Sequence, residues 1–362
     1  MTDTIGRLKE LHDYYARHPM PADFTETVRR KFGVDLSARY GSLVLKNPFL
    51  VAPGQMTTTV AQVERIKNAG YGGCVLKSVV GEAPDGTCSM AFQRKKPTYV
   101  KTVYDPEDAG GSFPIIHWDG GTDLRSLARY LPFAREAWPH GDGGFPIVAS
   151  ILCHLPSADE SFRETEWVHT TKALFDLGYR LFEIDFCPFL ATQEQLMVQK
   201  TVLRWYATVP GLMKSVAPGI TVYPKMLSLD FGLAFQTEIA QASREGKADG
   251  IIVANRIFRK DFGCAHGGRA LRERNLAIIR EIRKQMPEFP VSATGGVYSG
   301  RHAFDYLAAG AGHVQLLSHI MGNVKTPFAM TGGNKFEQVL HKLLLDPDDG
   351  FLACLLQQSS PC

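Results

Sequence analysis

Eight short apolar runs recur along the 362-residue chain, and nearly every one ends in a small, polar or charged residue. They cover 49–54, 74–78, 146–151, 180–186, 220–226, 250–255, 289–295 and 313–318. Most are separated by a stretch with helical spacing. Strands and helices in strict alternation predict the α/β class, here a (β/α)8 TIM barrel. That fold carries its chemistry at the C-terminal ends of the strands. The candidates at those ends are Lys77, Asp185, Cys187, Lys225, Asn255 and Ser318.

Such a barrel needs about 250 residues, so the chain has room for one barrel and additions. Residues 1–34 read as an N-terminal helical extension, 35–350 as the barrel and 351–362 as a C-terminal tail. In the extension, Ile5, Leu8, Leu11, Tyr14 and Tyr15 have helical spacing over 4–17, and a second helix is predicted over about 22–32. The segment DLSARYGSLVLK (35–46) alternates around a Tyr-Gly-Ser turn and predicts a β-hairpin at the barrel bottom. Thr59 and Ser299 are placed to cap helices that Gly70 and Gly310 end. About forty residues, 79–121, separate the second strand from its helix. This β2–α2 insertion mixes Phe92, Tyr99, Tyr104, Phe113, His117 and Trp118 with glycines and four prolines. Connections this long are usually functional or disordered. Two readings stay open, an ordered wall over the barrel mouth and an arm for dimer contact.

The net charge of +3 and the lack of a long basic run argue against nucleic-acid binding. No apolar run approaches the roughly 18 residues of a membrane span, and the N-terminus lacks the apolar centre of a signal peptide. The seven cysteines form no C-x-x-C pair. The expectation is a cytoplasmic, reduced protein with no metal centre of its own.

The last two runs end in Ala-Thr-Gly-Gly-Val (293–297) and Val-Gln-Leu-Leu-Ser (314–318). Gly295 and Gly296 precede a helix, where backbone N–H groups approach a phosphate without an intervening side chain. Leu317 and Ser318 begin the next such turn. The loops after strands seven and eight are the usual phosphate site of this fold.

Several motifs in order resemble the dihydroorotate dehydrogenase family, especially its soluble class, over about residues 35–345. DLSARYGSLVLKNPFLVAPG resembles its hairpin and first strand, and CVLKSVV its Thr-Lys-Ser strand. YPKM, GIIVAN, HGGRAL, ATGGVYSG and VQLLS resemble the segments that follow. The resemblance implies bound FMN. By motif position, Ala52 and Gly54 would support the flavin ring, Lys77 and Ser78 would lie beside it, and Lys225 near its N1–C2 edge. Asn255 would complete this set from strand six. Gly268, Gly295, Gly296, Leu317 and Ser318 would hold the phosphate. A lysine near N1 stabilises the negative charge of a reduced flavin.

The implied activity is FMN-dependent oxidoreduction, a hydride passing between flavin N5 and a CH–CH or C=C bond activated by a carbonyl. Cys187 is the first choice for the proton-transfer group, because Cys187-Pro188 matches the family's Cys-Pro, whose cysteine is the base. Asp185 and His154 are the reserves. Electrons would be exchanged with a partner subunit, a quinone, fumarate or a pyridine nucleotide, and a homodimer would suit a barrel of this type. The match departs at the substrate motifs. Phe189 stands where a substrate-binding asparagine is expected, Arg256 follows Asn255 in place of Ser or Thr, and the 79–121 loop lacks the N-x-M-G-x-x-N stretch. An orotate ring without those asparagines leaves polar groups unpaired at about 1–3 kcal/mol each. A substrate other than dihydroorotate is therefore expected. The alternatives are dihydroorotate dehydrogenase proper, a non-catalytic FMN-binding or phosphate-binding barrel, and an aldolase-like barrel with Lys225 as a Schiff-base lysine.

Overall fold

The computed structural model describes residues 2–21, 24–95, 99–103, 115–119, 121–186, 195, 197–229, 231–254, 256–259, 264–322 and 328–358. Helices α1 (Thr2–Tyr15) and α2 (Phe24–Phe32) precede a hairpin of β1 (Ala38–Tyr40) and β2 (Leu43–Leu45). The barrel begins with β3 (Phe49–Val51), α3 (Val60–Ala69) and β4 (Gly73–Val75). The long insertion holds β5 (Val79–Val80), β6 (Tyr99–Val103) and β7 (Ile115–Asp119), and α4 (Leu127–Ala137) follows it. The alternation then runs through β8 (Ile147–Leu152), α5 (Glu164–Asp176), β9 (Leu181–Ile184), α6 (Gln199–Lys214), β10 (Thr221–Pro224), α7 (Gly232–Glu245) and β11 (Ile251–Val253). A second insertion contributes β12 (Ile257–Arg259) and β13 (Cys264–Gly268). The chain continues through α8 (Arg272–Gln285), β14 (Val291–Thr294), α9 (Gly300–Ala308), β15 (Val314–Leu316), α10 (Ser318–Met321), α11 (Lys335–Leu345) and α12 (Phe351–Gln358).

All eight apolar runs become parallel strands, in the order β10-β9-β8-β4-β3-β15-β14-β11. A bridge between Lys225 and Ile252 joins the two ends, with Met226 N–H donating to the Ile252 carbonyl at 2.9 Å. The result is a nearly closed (β/α)8 barrel. Each strand is buried on both faces, which is why the sequence reads as unbroken apolar runs. Successive side chains still alternate. Phe49, Val51, Ile147, Ala149, Phe182 and Ile184 pack outward with the helices. Leu50, Val75, Val148, Tyr223 and Ile252 pack inward, and Ala38, Tyr40 and Leu45 of the hairpin join them. The hairpin therefore closes the barrel bottom as its turn pattern predicts.

The punctuation also holds. Thr59 and Gln62 form a reciprocal capping box, and Gly70 ends α3 with φ +96°. Replacing Thr59 by alanine should cost about 1 kcal/mol in a denaturant titration. Ser299 accepts from His302 N–H at the start of α9. The N-terminal helices pack on the last helices, with His341 Nε2 3.0 Å from the His12 carbonyl. The segment read as a tail carries α12, whose Phe351, Leu352, Ala353, Cys354 and Leu356 are buried. Among the described residues no helix is long and apolar enough to cross a membrane.

Candidate active site

Period-two alternation decides what faces the barrel axis above the apolar floor. On β9 and its extension, Glu183 and Asp185 share the inward face, and on β10 Lys225 follows Tyr223 inward. Glu183 is wholly buried. Its Oε1 accepts from Tyr40 Oη at 3.0 Å and from Gln315 Nε2, and its Oε2 lies 3.4 Å from Lys225 Nζ. Burial raises the Glu183 carboxyl above its ordinary range, with Lys225, Gln315 and Tyr40 acting against that rise.

Asp185 stands one layer higher. Ser78 Oγ donates to its Oδ2 at 2.8 Å, and Ser78 in turn lies 2.8 Å from Ser150 Oγ. Burial opposes its ionisation, but Lys225, Arg256, the Ser78 hydrogen bond and Lys77 outweigh it and hold the carboxyl below its ordinary range. Lys77 is buried, and its Nζ donates to the Gly121 carbonyl of the long insertion. Three cationic side chains thus surround one ionised carboxylate.

Lys77, Asp185, Lys225 and Arg256 line one side of a cleft. Its other wall is Gly267, Gly268, Leu271, Thr294, Gly295, Gly296, Val297, Leu317, Ser318 and His319. Gly295 and Gly296 have φ of +88° and +69°. A Cβ at Gly296 would lie 2.9 Å from Arg272 Cβ and 3.3 Å from the Gly268 carbonyl. The turn therefore needs glycine, and its backbone stays bare. Asn275 and Tyr306 hold it from behind, donating to the carbonyls of Thr294 at 2.8 Å and Gly295 at 2.9 Å.

The two insertions meet beside the cleft. Their strands form one antiparallel sheet in the order β12-β13-β7-β6. His117 of β7 pairs in register with His266 of β13, and their rings stack 4.2 Å apart. Gly121, Gly267 and Gly268 carry this sheet's edge into the cleft lining.

Of the residues singled out from sequence, Ala52, Lys77, Asp185, Lys225, Gly268, Gly295, Gly296, Leu317 and Ser318 line this one cleft. Three are placed differently. Gly54 lies behind Leu317, where a Cβ would sit 2.1 Å from Leu317 Cδ2. Ser78 lies behind Asp185 and orients it. His154 is not among the lining residues, and its Nε2 lies 3.6 Å from Glu160 Oε2. Cys187, Asn255 and Phe189 lie outside the described residues. Sequence reasoning passed over Glu183, Arg256 as a site residue, and His319. The signal for Glu183 was a charge two positions before Asp185 inside an apolar run. The signal for His319 was its place directly after the Ser318 turn.

The structure is a (β/α)8 barrel with lysines at two strand ends and a bare glycine turn after its seventh strand, the place where barrels of this fold commonly bind phosphate. Comparison with known proteins narrows that class. A family model described as dihydroorotate dehydrogenase matches residues 235–331, which include the glycine turn and Ser318. The chain is 23% identical over 306 residues to a protein of Methanocella arvoryzae named dihydroorotate dehydrogenase B (NAD(+)), catalytic subunit; the match covers 80% of this chain and 89% of that one. It is 24% identical over 294 residues to the protein of that name from Methanosarcina mazei, covering 78% and 83%. It is 22% identical over 308 residues to the NAD-dependent dihydropyrimidine dehydrogenase subunit PreA of Escherichia coli K12, covering 79% and 69%. The chain is thus similar, at low identity, to proteins named dihydroorotate dehydrogenase and dihydropyrimidine dehydrogenase.

Proposed function

We propose that the chain is an FMN-dependent oxidoreductase acting on CH–CH bonds, with a substrate other than dihydroorotate. The observation that carries this reading is one cleft holding both a bare glycine turn and the strand-end lysines Lys77 and Lys225. The relatives, all named as dehydrogenases, support the same chemistry. The residues present fit the cofactor. Gly268, Gly295, Gly296, Leu317 and Ser318 would hold its phosphate, and Ala52, Lys77 and Lys225 its ring. Bound FMN would supply hydride exchange between its N5 and a substrate carbon.

The chain's own part is to position charge and move one proton. Lys77 and Lys225 offer fixed positive charge where negative charge would develop. Asp185, held ionised, is a weak base near neutral pH, since proton transfer works best with a pKa close to the operating pH. Its work is to fix Lys225, Arg256 and Lys77 around the cleft. Proton exchange with the second substrate carbon is assigned to Cys187. Arg256 replaces the family's small hydroxyl residue and brings bulk and charge to the substrate side, which supports a changed substrate.

The test is the visible spectrum of the purified protein, followed by anaerobic reduction and addition of orotate. Flavin absorption with no reoxidation by orotate is the expected result. Rapid reoxidation would restore dihydroorotate chemistry, and a colourless protein that takes up no FMN would end the flavin reading.

A further inference from the structure

His319 is fully buried, yet neither Nδ1 nor Nε2 has a hydrogen-bond partner among the described residues. A neutral imidazole carries one donor and one acceptor, and buried polar groups are nearly always paired. His319 is one of the residues that line the same cleft as Gly295, Gly296 and Ser318. Its aromatic neighbours, Tyr298 at 5.4 Å and Phe328 at 5.9 Å between ring centroids, fix the ring without satisfying it.

Lysine charge lies in the surroundings. After burial itself, Lys335 and Lys342 of α11 are the leading groups that push the His319 pKa down to about 3. Asp346 lies 3.4 Å from Lys342 Nζ, and Asp305 pairs with Arg272. The ring is therefore neutral, carries an N–H, and has lysine charge in its surroundings at a cleft that also holds a bare glycine turn. The chemistry that answers all of these features is a phosphate monoester, which brings negative charge and acceptor oxygens together.

We propose that His319 is a phosphate-binding residue, its ring N–H donating to the phosphate of FMN. The assignment rests on the flavin reading of the cleft. It adds a ligand that discriminates the phosphorylated cofactor from riboflavin.

The test compares His319→Phe, which keeps a planar apolar ring, with His319→Gln, which keeps an N–H donor. Dissociation constants for FMN and riboflavin are read from quenching of flavin fluorescence. For His319→Phe the FMN constant should rise about tenfold, as for loss of one hydrogen bond to a charged group, while the riboflavin constant stays unchanged. His319→Gln should recover most of the FMN affinity. The unliganded His319→Phe protein should melt no lower than the parent, since two unpaired buried atoms are gone. Equal losses for FMN and riboflavin, or an unchanged FMN constant, would overturn the proposal. The ring nitrogen resonances of His319, followed while inorganic phosphate is added to the parent protein, separate the two readings. If phosphate moves them and no flavin binds, the phosphate role stands and the flavin reading falls. If neither phosphate nor FMN moves them, the role assigned to His319 is wrong.

Discussion

Replacing Lys225 by methionine should destabilise the chain by about 3–5 kcal/mol at pH 8, the range for stripping one partner from a buried ion pair. Glu183 is wholly buried, and Lys225 Nζ at 3.4 Å is its ionic partner. The Glu183 carboxyl already lies above its ordinary value because of burial, and Lys225 is first among the groups that oppose the rise. Removing the ammonium raises it further. A carboxyl with a higher pKa folded than unfolded holds its proton better in the folded state. Folding is then penalised progressively as pH rises above the unfolded value, here 4.5. The loss in Lys225→Met should accordingly be smaller at pH 5 than at pH 8. The double variant Lys225→Met/Glu183→Gln should regain most of the stability, because position 183 then buries no charge. Urea unfolding of the three variants at both pH values is the measurement. Equal losses at the two pH values, or no recovery in the double variant, would show that the pair is not coupled in this way.

The second large effect is expected at Gly296. Valine there must adopt φ +69°, which a β-branched residue rarely tolerates. Its Cβ would meet Arg272 Cβ at 2.9 Å and the Gly268 carbonyl at 3.3 Å. The turn must move, and the backbone donors assigned to the phosphate move with it. Two such charge-assisted hydrogen bonds, at about 1.5–3 kcal/mol each, correspond to a loss of FMN affinity of at least about a hundredfold. Purified Gly296→Val should leave a desalting column colourless where the parent leaves it yellow. The folded core should persist, since the strain is confined to one turn at the cleft. A variant that unfolds outright would point to a structural role for the turn, and one that keeps its colour would remove phosphate from it.

The eight barrel strands were legible because each is a short apolar run closed by a polar tip and followed by helical spacing. The helix caps at Thr59 and Ser299 were legible for a local reason, since one hydroxyl and one glycine sufficed. Which face of each strand looks inward was not legible. Both faces of a parallel barrel strand are apolar, so Leu50 and Val51 look alike in sequence although one faces the axis and the other the helices. Glu183 was overlooked for that reason, since its inward position is fixed by register with β8 and β10 rather than by its own neighbours. The glycine turn at 295–296 was visible, but the histidine beside it was not. Its meaning depends on burial and on the lack of partners, which are three-dimensional facts. The long insertion was recognised, but its pairing was not. β7 finds β13, which lies far along the chain, and no local periodicity encodes such a partner.

That pairing has a consequence for how such a protein can be altered. The two insertions hold each other by main-chain ladders, so neither is a free-standing module. Transplanting one of them from a relative would leave a row of backbone donors and acceptors facing a stranger, and the graft would carry the penalty of every unmatched rung. Exchanging both together keeps the ladder whole. Lineages that changed what enters this barrel would then have been obliged to rewrite two distant stretches of the gene in concert.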